Sequence, residues 1–393
     1  MNTQINFSTY FNNWLYGKDG YYTNYHTIGK EGDFYTSVST SKFFGGTIGK
    51  RIIDTINSGY LPKDTTIVEI GAHHGYLLAD IIQFIYTLQP DLLSTLKFAI
   101  VEKFEHLKEK QLDYFTQSFG DVIQLNHYCD ITEVKLDNAY VVANEIFDAF
   151  ACELIYTDKD NIRKYAVVND HKISFEKCED TYLNHICDTY KIQKGEVGLG
   201  YEEFAQTLCT NINKFEFLSF DYGDIYVRND FSARVYDQHK VFPIFEENLP
   251  LKKLFSNSDI TYDVNFSHLM DVFKDLNCSE VRFMTQLKTL VEFGIQDLLK
   301  MVQDNAGENA YYVKSEKKLV SKPVIPTSNL RRFSFVNTTL KEVIQNINDS
   351  YNVSVTLKNK ALENCTITTN FENENIELVL TIITETLGLK YEK

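Results

Sequence analysis

The segment Ile67-Val68-Glu69-Ile70-Gly71-Ala72-His73-His74-Gly75-Tyr76-Leu77-Leu78 decides the fold class of this 393-residue chain. An apolar run ending in an acid predicts a buried strand over Thr66–Ile70. Gly71 and Gly75 then open a stretch, Tyr76–Tyr86, whose apolar residues recur at helical spacing. The same alternation continues outward. Lys97–Val101 reads as a strand, Glu105–Phe115 as a helix, and Ala139–Ala143 and Phe215–Phe220 as further strands. Strands alternating with helices imply right-handed βαβ units and an α/β fold with a parallel sheet covered on both faces. Ligands of such sheets sit at the carboxyl ends of the strands.

Length and composition bound the rest. A chain of 393 residues suggests two or three domains, and 44% hydrophobic with 24% charged residues is a globular composition. The net charge of −15 opposes phosphate backbones, so no nucleic-acid partner is expected. Seven cysteines, odd in number and never spaced as CxxC, argue against a disulfide framework or a structural zinc site. No run approaches the ~18 apolar residues of a membrane span. Met1–Tyr16 lacks the basic start and apolar core of a signal peptide, so a cytoplasmic location is expected. The 14% aromatic content is spread along the whole chain and marks no single site.

The texture changes after about residue 305. Ser315–Asn329 holds Pro323 and Pro326, two of the chain's six prolines, and reads as an extended linker. Beyond it, strands are predicted at Arg332–Val336, Val353–Leu357, Thr366–Phe371 and Leu389–Tyr391. Helices are predicted at Leu340–Ser350 and Glu374–Leu387, with Asn337-Thr338 and Asn373 placed as caps. The division is therefore a first unit over 1–305, with its core from about 65 and a covering insertion at about 155–210; a linker over 306–329; and a small α+β module over 330–393.

Glycines after a strand let backbone approach a ligand closely, and the following helix start offers free N–H groups. Glu102 closes the second strand, 31 residues after Gly71, where an acid can take both hydroxyls of a ribose. No basic residue sits in the loop and no GxxxxGK occurs, so ATP is poorly supported. The competing reading is an ordinary strand-to-helix turn. Adjacent His73 and His74 point in different directions and have no third ligand near them, so no metal is expected. Cys152 has no flanking base and reads as a buried small hydrophobe. His239, grouped with Arg234 and Tyr236, reads as an acid–base residue or a structural one.

Gly32-Asp33-Phe34-Tyr35-Thr36-Ser37, followed by Ser41 and Phe44-Gly45, resembles the opening signature of the MidA family. Later blocks agree in order. They are Glu69–Gly75, Val101-Glu102 with Gln111, Asn144-Glu145-Ile146-Phe147-Asp148-Ala149, Asp221-Tyr222-Gly223, Arg234–His239, Asp259–Phe266, Thr285-Gln286 and Phe293-Gly294-Ile295. The resemblance spans about residues 7–303. It implies a Rossmann-like class I methyltransferase with a substrate-covering insertion and S-adenosylmethionine as cofactor. It further implies N-methylation of arginine on a protein, linked through the family's mitochondrial members to respiratory complex assembly. Around the cofactor it implies Asp33, Phe34, Glu69, Gly71, His73, Gly75 and Glu102. Asn144, Glu145 and Asp148 are assigned to the strand end facing the transferred methyl.

Carboxylates at that strand end suit a cationic acceptor, because paired acids grip a guanidinium through bidentate hydrogen bonds. Glu145 is read as orienting the acceptor and Asp148 as supporting it; the competing reading makes Asn144 and Asp148 helix caps. The family loop usually runs Gly-x-Gly-x-Gly, and His73 replaces its middle glycine. His73 is also the feature that favours a non-catalytic binding or assembly factor; small-molecule N-methylation is the other alternative. The C-terminal segment, about 325–393, resembles the C-terminal domain of FecR-type anti-sigma regulators, a small βα-repeat interaction module.

Overall fold

The computed structural model describes residues 4–24, 41–237, 240–306, 311–313, 318–320, 332–351, 353, 355–357, 359–372 and 376–387. The chain forms two compact units, Met1–Met301 and Val302–Lys393.

The first unit is built on five parallel strands: β2 (Thr66–Ile70), β3 (Lys97–Val101), β4 (Leu125–Tyr128), β5 (Leu136–Asn144) and β10 (Ile212–Phe220), in the order β10-β5-β2-β3-β4. Their β-branched and aromatic residues suit a sheet buried on both faces. Along β2 the side chains alternate, Ile67 joining one apolar cluster and Val68 the other. The first face is covered by α2 (Lys42–Asn57) and α3 (Tyr76–Leu88), the second by α6 (Tyr201–Asn211) and α8 (Phe266–Asp275). α4 (Glu105–Phe119) crosses from β3 to β4. From β2 the chain moves outward to β3 and β4, then returns to the other side with β5 and β10. The strand order thus reverses between β2 and β5, which makes that crevice the switch point of the sheet. Register aligns the carboxyl ends, with Ile70 opposite both Val101 and Ala143, and Phe220 opposite Asn144.

Close approach of α2 to α3 depends on glycine. A Cβ at Gly46 would lie 2.5 Å from the Phe84 ring, and one at Gly45 would lie 2.7 Å from Asp80 Cβ.

The insertion is a second, antiparallel sheet formed by β6 (Cys152–Thr157), β7 (Arg163–Asn169), β8 (Lys172–Lys177) and β9 (Lys194–Gly198), with α5 (Thr181–Tyr190) between β8 and β9. It closes at Gly198. The residues that follow fold as α6 against the central sheet, because Tyr201, Phe204 and Leu208 belong to that sheet's apolar cluster. The N-terminal strand β1 (Ile5–Asn6) adds to the insertion through Ile5 opposite Val168. Helix α1 (Phe7–Tyr16) then buries Phe7, Phe11, Trp14 and Leu15, and Trp14 Nε1 donates to Ser258 O at 2.6 Å. Asp259–Thr261, next to Ser258, pairs with Arg234–Asp237 in a third, smaller sheet.

In the second unit, Lys318–Val320 pairs antiparallel with Tyr311–Val313, within the stretch read as a linker. Arg332–Thr339 and Thr366–Glu372 form an antiparallel pair, and helices Leu340–Tyr351 and Ile376–Leu387 pack Leu340, Val343, Ile347, Val379 and Ile383 into one core. Two expectations are corrected. The described part of Val353–Leu357 is not a strand, because the Asn348 side chain takes both backbone groups of Val355, accepting from its N–H at 2.6 Å and donating to its carbonyl at 2.9 Å. The helix cap is Thr339 rather than Asn337-Thr338, which lie within the strand. Glu342 N–H donates to Thr339 Oγ1 at 3.4 Å while that hydroxyl donates back to Glu342 Oε2 at 3.0 Å. Asn373 and Leu389–Tyr391 lie outside the described residues.

Replacing Gly46 with leucine forces a branched side chain into the Phe84 ring. Gly46→Leu is expected to cost about 3 kcal/mol, read as a lowered urea midpoint with an unchanged slope.

Candidate functional site

The loop after β2 is held by backbone geometry that few residues accept. Gly71 (φ 70°), His73 (φ 48°) and Gly75 (φ 76°) are all left-handed. A Cβ at Gly71 would lie 3.1 Å from Ile146 Cγ2, and one at Gly75 would lie 2.9 Å from the Phe115 ring. The middle position takes histidine because its polar side chain is among the better tolerated there. Its ring does not diverge from its neighbour's; His73 and His74 pack edge to face at 4.1 Å, and His74 stacks on Tyr76 at 5.2 Å. Gln111 Nε2 fixes the loop from α4 by donating to His73 O at 2.7 Å.

Two buried acids serve this loop differently. Glu69 Oε2 accepts from Leu78 N–H at 3.0 Å, satisfying one of the free amides at the start of α3. Burial pushes the Glu69 carboxyl up to about 8, with Asp80 and Glu102 adding to the shift and the Leu78 bond opposing it. Glu102 Oε1 accepts from Phe104 N–H at 3.1 Å and its Oε2 from Gln111 Nε2 at 3.2 Å. His127 Nε2 lies 2.8 Å from Gln111 Oε1, so the side chain that orients Glu102 is itself oriented. Burial raises Glu102 too, against these donors. Lys103 N–H is a further donor to this carboxylate, whose two oxygens offer about four acceptor sites and so keep capacity for a ligand hydroxyl. That is the chemistry a vicinal diol requires. The residues present therefore fit S-adenosylmethionine, which the backbone of Gly71–Gly75 and the Glu102 carboxylate would hold. Asp33 and Phe34, also placed at the cofactor by resemblance, lie outside the described residues.

The second half of the site follows β5. Glu145 is left-handed at φ 54°, and its N–H donates to Phe220 O at 2.8 Å. Asn144 Nδ2 donates to Glu145 Oε1 at 3.0 Å, which leaves Asn144 Oδ1 buried without a partner. Asp148, 4% exposed, sits on a turn of 3-10 helix over Phe147–Ala149. Neither Asn144 nor Asp148 caps that turn. Asp221, at the end of β10, does so, Oδ2 accepting from Phe147 N–H at 2.8 Å and Asp148 N–H at 3.3 Å. Burial holds Asp148 well above the carboxylate range, reinforced by Asp221, Asp259 and Glu145, while Arg234 opposes. Burial also brings Asp221 up to about 7. The Arg234 guanidinium is engaged elsewhere, its Nη1 2.5 Å from Asp263 Oδ1 and its Nε donating to Tyr236 at 2.9 Å.

The structure thus brings Glu69, Gly71, His73, Gly75, Glu102, Asn144, Glu145 and Asp148 to one edge of the sheet. It adds residues the sequence reading left unassigned: Asp221, Asp259, Tyr16 and Tyr22. Asp221 and Asp259 stood inside the quoted family blocks; the two tyrosines had no local signal at all. His239 lies outside the described residues. Cys152 is fully buried, and burial drives its thiol far from ionisation.

A five-stranded parallel sheet with a glycine loop, a ribose-type acid and acceptor acids at its switch point defines a nucleoside-cofactor group-transfer fold. Residues 47–284 match the family model described as “putative S-adenosyl-L-methionine-dependent methyltransferase”, and the chain belongs to that family. It is accordingly an S-adenosylmethionine-dependent methyltransferase by family. Residues 332–393 match the model described as FecR, C-terminal. Among curated proteins, the mitochondrial protein arginine methyltransferase NDUFAF7 homolog of Drosophila melanogaster is 23% identical over 291 residues, 66% of this chain and 64% of that protein. The chain therefore spans a little under two thirds of the fly relative. The Rattus norvegicus protein arginine methyltransferase NDUFAF7 is 24% identical over 320 residues, 74% of this chain and 70% of that protein. A Burkholderia thailandensis crystal structure bound to S-adenosyl-homocysteine shares the fold, with a TM-score of 0.67 at 18% identity over 80% of this chain and 82% of that one. Among the described residues, no helix is long and apolar enough to cross a membrane.

Glu102→Gln, which keeps an acceptor for Phe104 N–H, is expected to weaken S-adenosylhomocysteine at least about tenfold, roughly 1.4 kcal/mol, in calorimetric titration, with the melting temperature nearly unchanged. Glu69 gives a pH signature. Its folded carboxyl is raised above the unfolded one, so ionisation favours the unfolded chain, and stability falls as pH rises from about 4.5 to about 8. Glu69→Gln keeps the shape and removes that slope, so melting curves between about pH 5 and about pH 9 should fall less steeply for the variant.

Proposed function

We propose that this protein transfers methyl groups to a nitrogen of arginine on a partner protein, within the respiratory-assembly context that the family resemblance implies. One observation carries the reading. Glu145, Asp148 and Asp221 follow the carboxyl ends of β5 and β10, Asp259 of the third sheet acts on Asp148 with them, and burial holds Asp148 and Asp221 away from full ionisation. A guanidinium entering this cluster would favour the charged carboxylates and donate bidentate hydrogen bonds to them. The unpartnered Asn144 Oδ1 is a further acceptor for a guanidinium N–H. The names of the fly and rat relatives support the same acceptor.

When bound, S-adenosylmethionine supplies an electrophilic methyl on a sulfonium. The chain's own contribution is placement and electrostatics. Glu145, fixed by its backbone bond to Phe220 and its side-chain bond from Asn144, orients the acceptor nitrogen. Asp148, which has no backbone amide to cap, is the group we assign to receive the proton that nitrogen loses.

The test is methyl transfer to arginine peptides. Glu145→Gln should lower kcat/KM at least about a hundredfold, roughly 2.7 kcal/mol, while leaving S-adenosylhomocysteine affinity within twofold. Equal loss of both would place Glu145 in the fold rather than at the acceptor. Absence of any arginine methylation by the wild type, despite cofactor binding, would overturn the acceptor assignment.

A further inference from the structure

Tyr16 ends α1, and its hydroxyl donates to Ala149 O at 3.3 Å, beside Asp148. On its other side, Lys103 Nζ stands 5.6 Å from the centre of its ring, beside Glu102. One tyrosine therefore spans the loops after β3 and β5, the cofactor end and the acceptor end of the site. The Tyr22 ring lies 5.6 Å from that of Tyr16 at 31°, and its hydroxyl donates to Asp259 Oδ2 at 3.3 Å. Both rings are half-buried. Their backbone is locked, since Tyr21 N–H donates to Trp14 O at 2.8 Å and Tyr22 N–H to Leu15 O at 2.9 Å.

We propose that Tyr16 and Tyr22 form the aromatic wall of a cation subsite, closed by Asp148 and Asp259, that receives the charged head of the acceptor. The inference deepens the acceptor reading above and rests on it. An aromatic face attracts a cation through its quadrupole, and a planar guanidinium also stacks on it. The acids supply charge while the rings supply a surface that a neutral isostere cannot exploit. The Lys103 ammonium already occupies the neighbourhood of the Tyr16 ring as an internal cation, which shows that this face accepts one.

The experiment is calorimetry on the full chain with S-adenosylhomocysteine present, using arginine amide, neutral citrulline amide and tetramethylammonium as probes. Arginine amide should bind at least tenfold tighter than citrulline amide. Tyr16→Leu and Tyr22→Leu should each weaken arginine amide at least fivefold and leave S-adenosylhomocysteine unchanged. Tyr16→Phe, which keeps the ring, should stay within twofold of wild type. Lys103→Gln, at an exposed position, should tighten arginine amide about threefold and provides an arm that does not disturb the buried helix. Equal binding of citrulline, failure of both leucine variants to lose affinity, equal loss in Tyr16→Phe, or no gain in Lys103→Gln would each overturn the subsite. If the cations follow the expected pattern while arginine peptides are never methylated, the subsite stands and the arginine reading falls.

Discussion

At the carboxyl edge of the central sheet, carboxyl groups are packed where water is scarce, and the loops of the site are tied together through them. Glu69 holds the start of α3 through Leu78, Glu102 holds the turn into α4 through Phe104, and Asp221 holds the Phe147–Ala149 turn. Burial raises all three, so none behaves as an ordinary surface carboxylate. Their work also differs. Glu69 and Asp221 direct their oxygens at backbone amides and act as scaffold. Glu102, Glu145 and Asp148 stand nearer the crevice, where a ligand can compete for them. For Glu69 the distinction depends on register, since a one-residue slip of β2 would turn its side chain to the opposite face.

That edge also needs walls, and they come from parts of the chain distant in sequence. β1 adds to the insertion sheet, α1 buries its aromatic face against that sheet, and Trp14 reaches Ser258. The N-terminal segment, the insertion and the Asp259 strand therefore form one body beside the central sheet. Tyr16 and Tyr22 inherit their positions from this stitching. The segment before residue 65 thus places Tyr16 beside Ala149 and Tyr22 beside Asp259.

The parallel sheet was legible because its strands are continuous apolar runs and its helices keep a clear period. Thr66–Ile70 and Lys97–Val101 match the observed strands residue for residue. The glycine loop and Glu102 were legible for the same reason, since local spacing dictates their geometry. Asp221 was visible only as part of a family block, because its role as a cap belongs to a turn 74 residues away. Tyr16 and Tyr22 were hidden among 25 tyrosines, their positions fixed by tertiary packing alone. Val353–Leu357 misled because its alternation is that of a strand, while a side chain, Asn348, supplies the backbone partner a neighbouring strand would have given.

The two halves of the crevice share one further property. His73, in the donor loop, and Glu145, in the acceptor loop, are both non-glycine residues with positive φ. Such a conformation costs about 1–2 kcal/mol for an L-residue, and it persists only where surrounding contacts determine it. Gln111 supplies that contact for His73, and Phe220 for Glu145. The loops also meet directly, since a Cβ at Gly71 would press on Ile146 Cγ2 at 3.1 Å. Strain is thus concentrated on both sides of the switch point, on residues held by neighbours in α4 and β10. A relaxed, extended backbone at either residue would turn its side chain away from the crevice. On the proposed reading, the left-handed turn at Glu145 is therefore what aims the acceptor acid, and the turn at His73 is what keeps the loop's amides at the cofactor end.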